Sequence, residues 1–143
     1  PHGRIEHLLH LRCELSAPDM LEVFHQYVDD PLLRLVSMMD HTPGQRQWRD
    51  LVSYRRYSER NGRYTDQEFE ATIARRRADQ QAYSLPHRQV IVQACQASTV
   101  PLASHDDTLV SDVHQAVQEG VGMSEFPTTV AAAEAARAAG MAI

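Results

Sequence analysis

Val90-Ile91-Val92-Gln93-Ala94-Cys95-Gln96-Ala97-Ser98-Thr99-Val100-Pro101-Leu102-Ala103-Ser104-His105-Asp106-Asp107-Thr108 is the stretch that decides the fold. Val90, Ile91, Ala94 and Cys95 recur at helical spacing. After Pro101 a very short apolar segment stops at a histidine and two carboxylates before another helix begins. Such a segment reads as a buried parallel strand, and residues just past its carboxyl end face the functional mouth in folds that alternate strands and helices. Three polar groups there need partners that a plain loop would not. The pattern points to a bound ligand.

Outward from this stretch the same grammar repeats. Ile5 to Leu15 predicts a strand on which His10, Arg12 and Glu14 share one face while Leu9, Leu11 and Cys13 share the other. Ser16-Ala17-Pro18-Asp19 predicts a helix start capped by Ser16, with Leu21, Phe24 and Val28 as its apolar stripe. Leu32 to Met39 is the next strand and ends in Asp40-His41. Trp48 to Tyr83 is helical, polar and rich in Arg, with a break at Gly62 and a capping box of Thr65 with Glu68. It reads as a helical insertion over 48–83, either a lid or partner surface above the mouth or a solvated excursion.

Pro86 is expected to open the helix that leads into Leu102. Thr108 to Glu119 predicts an amphipathic helix through Leu109, Val110, Val113 and Val117, and Val121 to Ser124 a weak strand closing at Glu125. Thr128 or Thr129 caps an Ala-rich helix that ends at Gly140, and Met141 begins one more strand. Alternation of this kind calls for an α/β fold with parallel strands and right-handed crossovers.

The 143 residues suffice for one domain with a hydrophobic core. A net charge of -5, no basic run and 6% aromatics argue against a nucleic-acid partner. All fourteen basic residues are Arg, so neither a carboxylated lysine nor Schiff-base chemistry is available here. Cys13 and Cys95 stand in unlike contexts, and no apolar run reaches membrane length. The expectation is a cytoplasmic protein with no membrane partner.

Glu14, His41, His105 and Glu125 each close a strand and so line up at one end of the sheet. Two imidazoles and a carboxylate converging from different strands make a competent set of ligands for Zn²⁺ or a similar divalent ion. Arg46, in the loop after His41, and Arg12, on the Glu14 face, are placed to bind an anionic substrate group, with an ordinary salt bridge as the alternative for both. His10 could lie deeper on the Glu14 face or simply be satisfied by a neighbour. His25 and His114 fall within helices and His87 at a loop start, while His2 and His7 have no partner in the pattern.

Arg12-Cys13-Glu14, Ser37-Met38-Met39-Asp40-His41-Thr42-Pro43-Gly44-Gln45-Arg46-Gln47, Ala103-Ser104-His105-Asp106-Asp107-Thr108 and Ser124-Glu125-Phe126-Pro127-Thr128-Thr129 together resemble the phosphonate-pathway members of the amidohydrolase superfamily. The resemblance covers essentially the whole chain. It implies a (β/α)8 TIM barrel, of which residues 1–143 would form part of the single domain, about strands 4 to 7. It further implies a metal-dependent hydrolase of a phosphoanhydride with two divalent ions, Zn²⁺ by expectation, acting on a small phosphorylated sugar. Carried over by motif, Glu14 would bridge the ions, His41 would be the strand-five ligand and His105 the strand-six ligand. Asp106 or Asp107 could orient the metal-bound groups. The sequence departs from that pattern in lacking any His-x-His pair and in ending before the strand that would carry the last Asp. A part-barrel exposes two sheet edges, which invites pairing with a second copy as a homo-oligomer. A hydrolase or deaminase acting on C–N bonds, and an inactive fragment or binding module, are the competing expectations.

Overall fold

In the computed structural model, which describes residues 5–60 and 62–143, each strand is short and is buried most fully on its helix-facing side. His2 lies outside the described residues. The strands are β1 (Leu9–Glu14), β2 (Leu33–Met39), β3 (Leu102–His105) and β4 (Met123–Glu125). They pair in parallel and in chain order, β1-β2-β3-β4. Ala142 adds one parallel bridge to Met123 at the open edge.

The helices are α1 (Met20–Tyr27), α2 (Leu51–Ser58), α3 (Asp66–Asp79), α4 (Leu85–Ser98), α5 (Val110–Gln118) and α6 (Val130–Ala138). One face of the sheet carries Cys13, Leu33, Val36, Met38 and Leu102, which form the main core with Phe24, Ile91, Cys95, Val113, Ala116, Ala132 and Ala136 from the helices. Small residues at Ala116, Ala132 and Ala136 let α5 and α6 lie close, and burial of this apolar face is the main force holding sheet to helices. The other face is polar, because the period of two places His10, Arg12 and Glu14 on it together with Ser37, His105 and Glu125 from the neighbouring strands.

Several local expectations need correction. Ser16 does not cap α1. Its hydroxyl donates to Glu14 Oε1 at 3.0 Å, and Asp19 precedes the helix without a side-chain cap. The inward residues of α5 are Val113 and Ala116, while Leu109, Val110 and Val117 are exposed. Pro86 does not open a separate helix either. Helical backbone runs from α3 through a π segment, Gln80–Ser84, directly into α4. Proline inside a helix clashes with the carbonyl four residues back, and widening to a π turn just before it relieves that clash. The helical excursion is therefore joined rigidly to a core helix at its C-terminal end.

Other signals match. Thr65 Oγ1 accepts from Glu68 N while Glu68 accepts from Thr65 N, closing the capping box. Thr129 Oγ1 accepts from Ala132 N. Gly44 has φ of +105°, a left-handed conformation that calls for glycine, and the tip of the Arg77 guanidinium lies over it. Among the described residues no helix is long and apolar enough to cross a membrane.

Candidate metal centre

The carboxyl ends of β1, β2 and β3 bring Glu14, His41, His105 and Asp106 to one place. Ligand atoms of His41, His105 and Asp106 lie within 4.8 Å of one another. Asp106 Oδ2 is 3.5 Å from His41 Nε2 and 3.6 Å from His105 Nε2, long charge contacts that leave this buried oxygen without a short hydrogen bond. A buried carboxylate oxygen facing two imidazole nitrogens is a donor set that would hold a divalent cation. Asp106 reaches this position because its backbone is left-handed, φ +54°, a conformation that Asp tolerates better than most residues.

Glu14 stands immediately behind His41. Its Oε2 receives His41 Nδ1 at 2.5 Å, and its Oε1 accepts from His41 N at 2.9 Å and from the Ser16 hydroxyl. Burial pushes the Glu14 carboxyl up, but these hydrogen bonds outweigh it and the net displacement is below the ordinary value. His41 is held between Asp106 and Glu14, which keep it protonated up to about 9 against the opposing effect of burial. A cation at Nε2 would take the place of that proton.

His105 is oriented from β4. Its Nδ1 donates to Glu125 Oε2 at 3.3 Å, and its Nε2 accepts from Arg12 Nη2 at 3.2 Å. The hydrogen bonds thus select the tautomer with an unprotonated Nε2, whose lone pair Arg12 takes here, so a cation bound at Nε2 would displace that guanidinium. Glu125 also accepts from Ser37 Oγ at 2.6 Å. Because that uses the only hydroxyl hydrogen of Ser37, His10 Nε2 must donate to Ser37 Oγ at 2.5 Å. Burial raises the Glu125 carboxyl, and the hydrogen bonds from Ser37 and His105 more than reverse it. His10 is thereby satisfied by a neighbour, and Glu125, which the sequence lined up with the other strand ends but did not make a metal ligand, is the group that positions His105.

Asp107 takes a different course from Asp106. It is fully buried on the helix-facing side of the sheet, where its Oδ2 accepts from Ser104 Oγ at 2.5 Å and Ser124 Oγ at 2.6 Å, and its Oδ1 from Arg46 Nη1 at 2.9 Å. Arg46 Nη1 also donates to His105 O at 2.8 Å. Arg46 therefore joins the β2 loop to the end of β3. Ser104 and Ser124 are paired neighbours on an otherwise apolar face, and two hydroxyls in such a place signal a shared buried acceptor. That signal could have separated Asp107 from Asp106 in the sequence. Arg12 spans Met39 Sδ and His105, beside the cluster.

Two further groups were not legible. His87, expected at a loop start, is buried in α4, where its Nδ1 donates to Leu15 O. Arg88 is buried beside it and forms an ion pair with Glu119 at 2.7 Å. Phe126, like Asp106, is left-handed at φ +54°, and its ring meets His105 edge-on with centroids 5.4 Å apart.

No family model and no solved structure matches the chain. The chain is similar to a curated protein, the alpha-D-ribose 1-methylphosphonate 5-triphosphate diphosphatase of Escherichia coli (strain K12), with 41% identity over 139 residues, 97% of this chain. It spans 37% of that relative's length.

Proposed function

We propose that this chain is the metal-binding segment of a (β/α)8 barrel hydrolase of the amidohydrolase superfamily that converts alpha-D-ribose 1-methylphosphonate 5-triphosphate to the 5-phosphate and pyrophosphate in phosphonate catabolism. The observation that carries this reading is the 41% identity across nearly the whole chain to a diphosphatase. The cluster of His41, His105 and Asp106 supports it. Sequential parallel strands with helices covering one face and polar groups on the other are what a segment of such a barrel requires.

His41 and His105, with Asp106 as the carboxylate in place of the Glu14 that the sequence suggested, would hold a divalent ion, Zn²⁺ by its preference for imidazole and carboxylate, while Glu14 stands behind His41. When bound, such an ion acidifies water and neutralises phosphate oxygens. The chain's own residues prepare the site. Glu125 fixes the ring of His105, and the main-chain and side-chain hydrogen bonds of Glu14 fix His41. Arg12, on the polar face, would meet an anionic group of the substrate, whereas Arg46 is engaged in the buried salt bridge to Asp107.

The test is a pyrophosphate-release assay on the full-length protein, with chelator and metal add-back. Activity abolished by chelator, restored by a divalent ion and lost in His105→Ala is the expected result. Ammonia release from a cyclic amide without pyrophosphate release would overturn the substrate assignment, and full turnover in His105→Ala would overturn the site.

A further inference from the structure

Between the helical excursion and the strand ends lies a cleft of about 340 Å³. Glu14 and His41 form one side of it, and Trp48, Tyr57 and Arg76 contribute to the other. The excursion has a small core of its own, in which Tyr54, Phe69 and Ile73 are buried, with Trp48 and Leu51 packed against them. Tyr57 lies outside that core. It is 47% exposed, yet its ring sits against Trp48 with centroids 4.7 Å apart at 36°. A paired aromatic wall facing a polar floor suits a ring that offers C–H groups on one face and hydroxyls at its edge. A sugar has that shape.

Arg75-Arg76-Arg77 divides its work. Arg77 Nε donates to Pro43 O and its guanidinium packs over Gly44, so it docks the excursion on the loop that carries His41. Arg76, one residue earlier, is exposed, and its guanidinium has no hydrogen-bond or ion-pair partner among the described residues. It borders both this cleft and the adjoining one beside Glu14 and Ser16. A cation in the site would repel this guanidinium, and an anion between the two would attract both. The planar fork matches phosphate oxygens.

We propose that this cleft is the subsite for the sugar-bound half of the substrate, with Trp48 and Tyr57 against the ring and Arg76 on its anionic group, so that the helical excursion sets substrate specificity. The assignment rests on the function proposed above.

Calorimetric titration of the metal-loaded, full-length protein with ribose 5-phosphate and, separately, with inorganic pyrophosphate tests it. Arg76→Gln and Tyr57→Ala alter exposed side chains, and melting curves check that both variants fold. Each is expected to raise the Kd for ribose 5-phosphate about tenfold and to leave that for pyrophosphate within about twofold, with Arg76→Lys recovering part of the loss. In turnover both should raise KM more than they lower kcat, the mark of binding shared by ground and transition states. No binding of ribose 5-phosphate, unchanged affinity in both variants, or equal losses for pyrophosphate would overturn the proposal. A protein that binds ribose 5-phosphate through Arg76 and Tyr57 but releases no pyrophosphate would refute the diphosphatase reading and leave the cleft assignment standing.

Discussion

Replacing Asp107 by Asn should destabilise the protein far more than its place beside the metal cluster would suggest. The change is nearly isosteric, so it opens no cavity. It removes the negative charge that faces the Arg46 guanidinium at 2.9 Å, in a pocket where the Asp107 side chain is 0% and the Arg46 side chain 11% exposed. Three donors converge on the carboxylate, the Ser104 and Ser124 hydroxyls and Arg46 Nη1. The serines can rotate and accept from an amide, which limits their share of the loss. Arg46 can only donate and stays charged, and breaking one side of a buried pair costs about 3 to 5 kcal/mol. Against a typical total of about 5 to 15 kcal/mol this is a large fraction. Urea denaturation of the full-length protein reads it. A double-mutant cycle with Arg46→Met isolates the pair, since the second substitution removes the stranded charge and the combined loss should fall short of the sum by more than about 1 kcal/mol. A loss below about 1 kcal/mol for Asp107→Asn, or simple additivity in the cycle, would refute the view that Asp107 staples the β2 loop to β3 and β4.

Glu125→Gln keeps the size of the group that positions His105 but weakens its hold, and Zn²⁺ affinity measured by competition with a chromogenic chelator should fall about 10- to 100-fold; unchanged affinity would sink the positioning role. In metal-free protein His41 titrates at about 9 against 6.5 unfolded, so its contribution to stability is complete below pH 6.5 and is lost as pH rises through 9. The lowered Glu14 carboxyl contributes in the opposite sense, fully above its unfolded value of 4.5 and less as pH falls. The chelated protein should therefore lose Tm from pH 6.5 to 9 relative to His41→Gln, and a wild-type Tm that does not fall relative to that variant would contradict the ion pair. Burial raises the Cys13 thiol to about 12, helped by nearby Cys95, which burial itself raises to about 11. Neither should react with iodoacetamide at pH 8 until the protein unfolds, and rapid alkylation of folded protein would show that the sheet–helix core is open.

Much of the architecture is written in local chemistry. Period-two alternation in Leu9–Glu14 determines which face of that strand is polar, and the Thr65 and Thr129 caps determine where two helices begin, because each depends only on residues a few positions apart. The gathering of polar groups at strand ends was legible for the same reason, since a strand that stops in His or Glu does so whatever its neighbours are. Tertiary structure decided what those groups do. The sequence treats Asp106 and Asp107 alike, yet a left-handed turn sends the first into the cluster and the second to the helix side. Ser16 left its cap because Glu14, held by His41, offered a charged acceptor, and Cys13 and Cys95, 82 positions apart, share one core. Pro86, read in the sequence as the start of a helix, lies inside a continuous helical rod because a π turn absorbs its clash and α4 is buried against the sheet. Local rules determine which groups are available, and long-range packing determines which partner each one meets, because a buried donor or acceptor is satisfied by whatever the fold brings within about 3 Å.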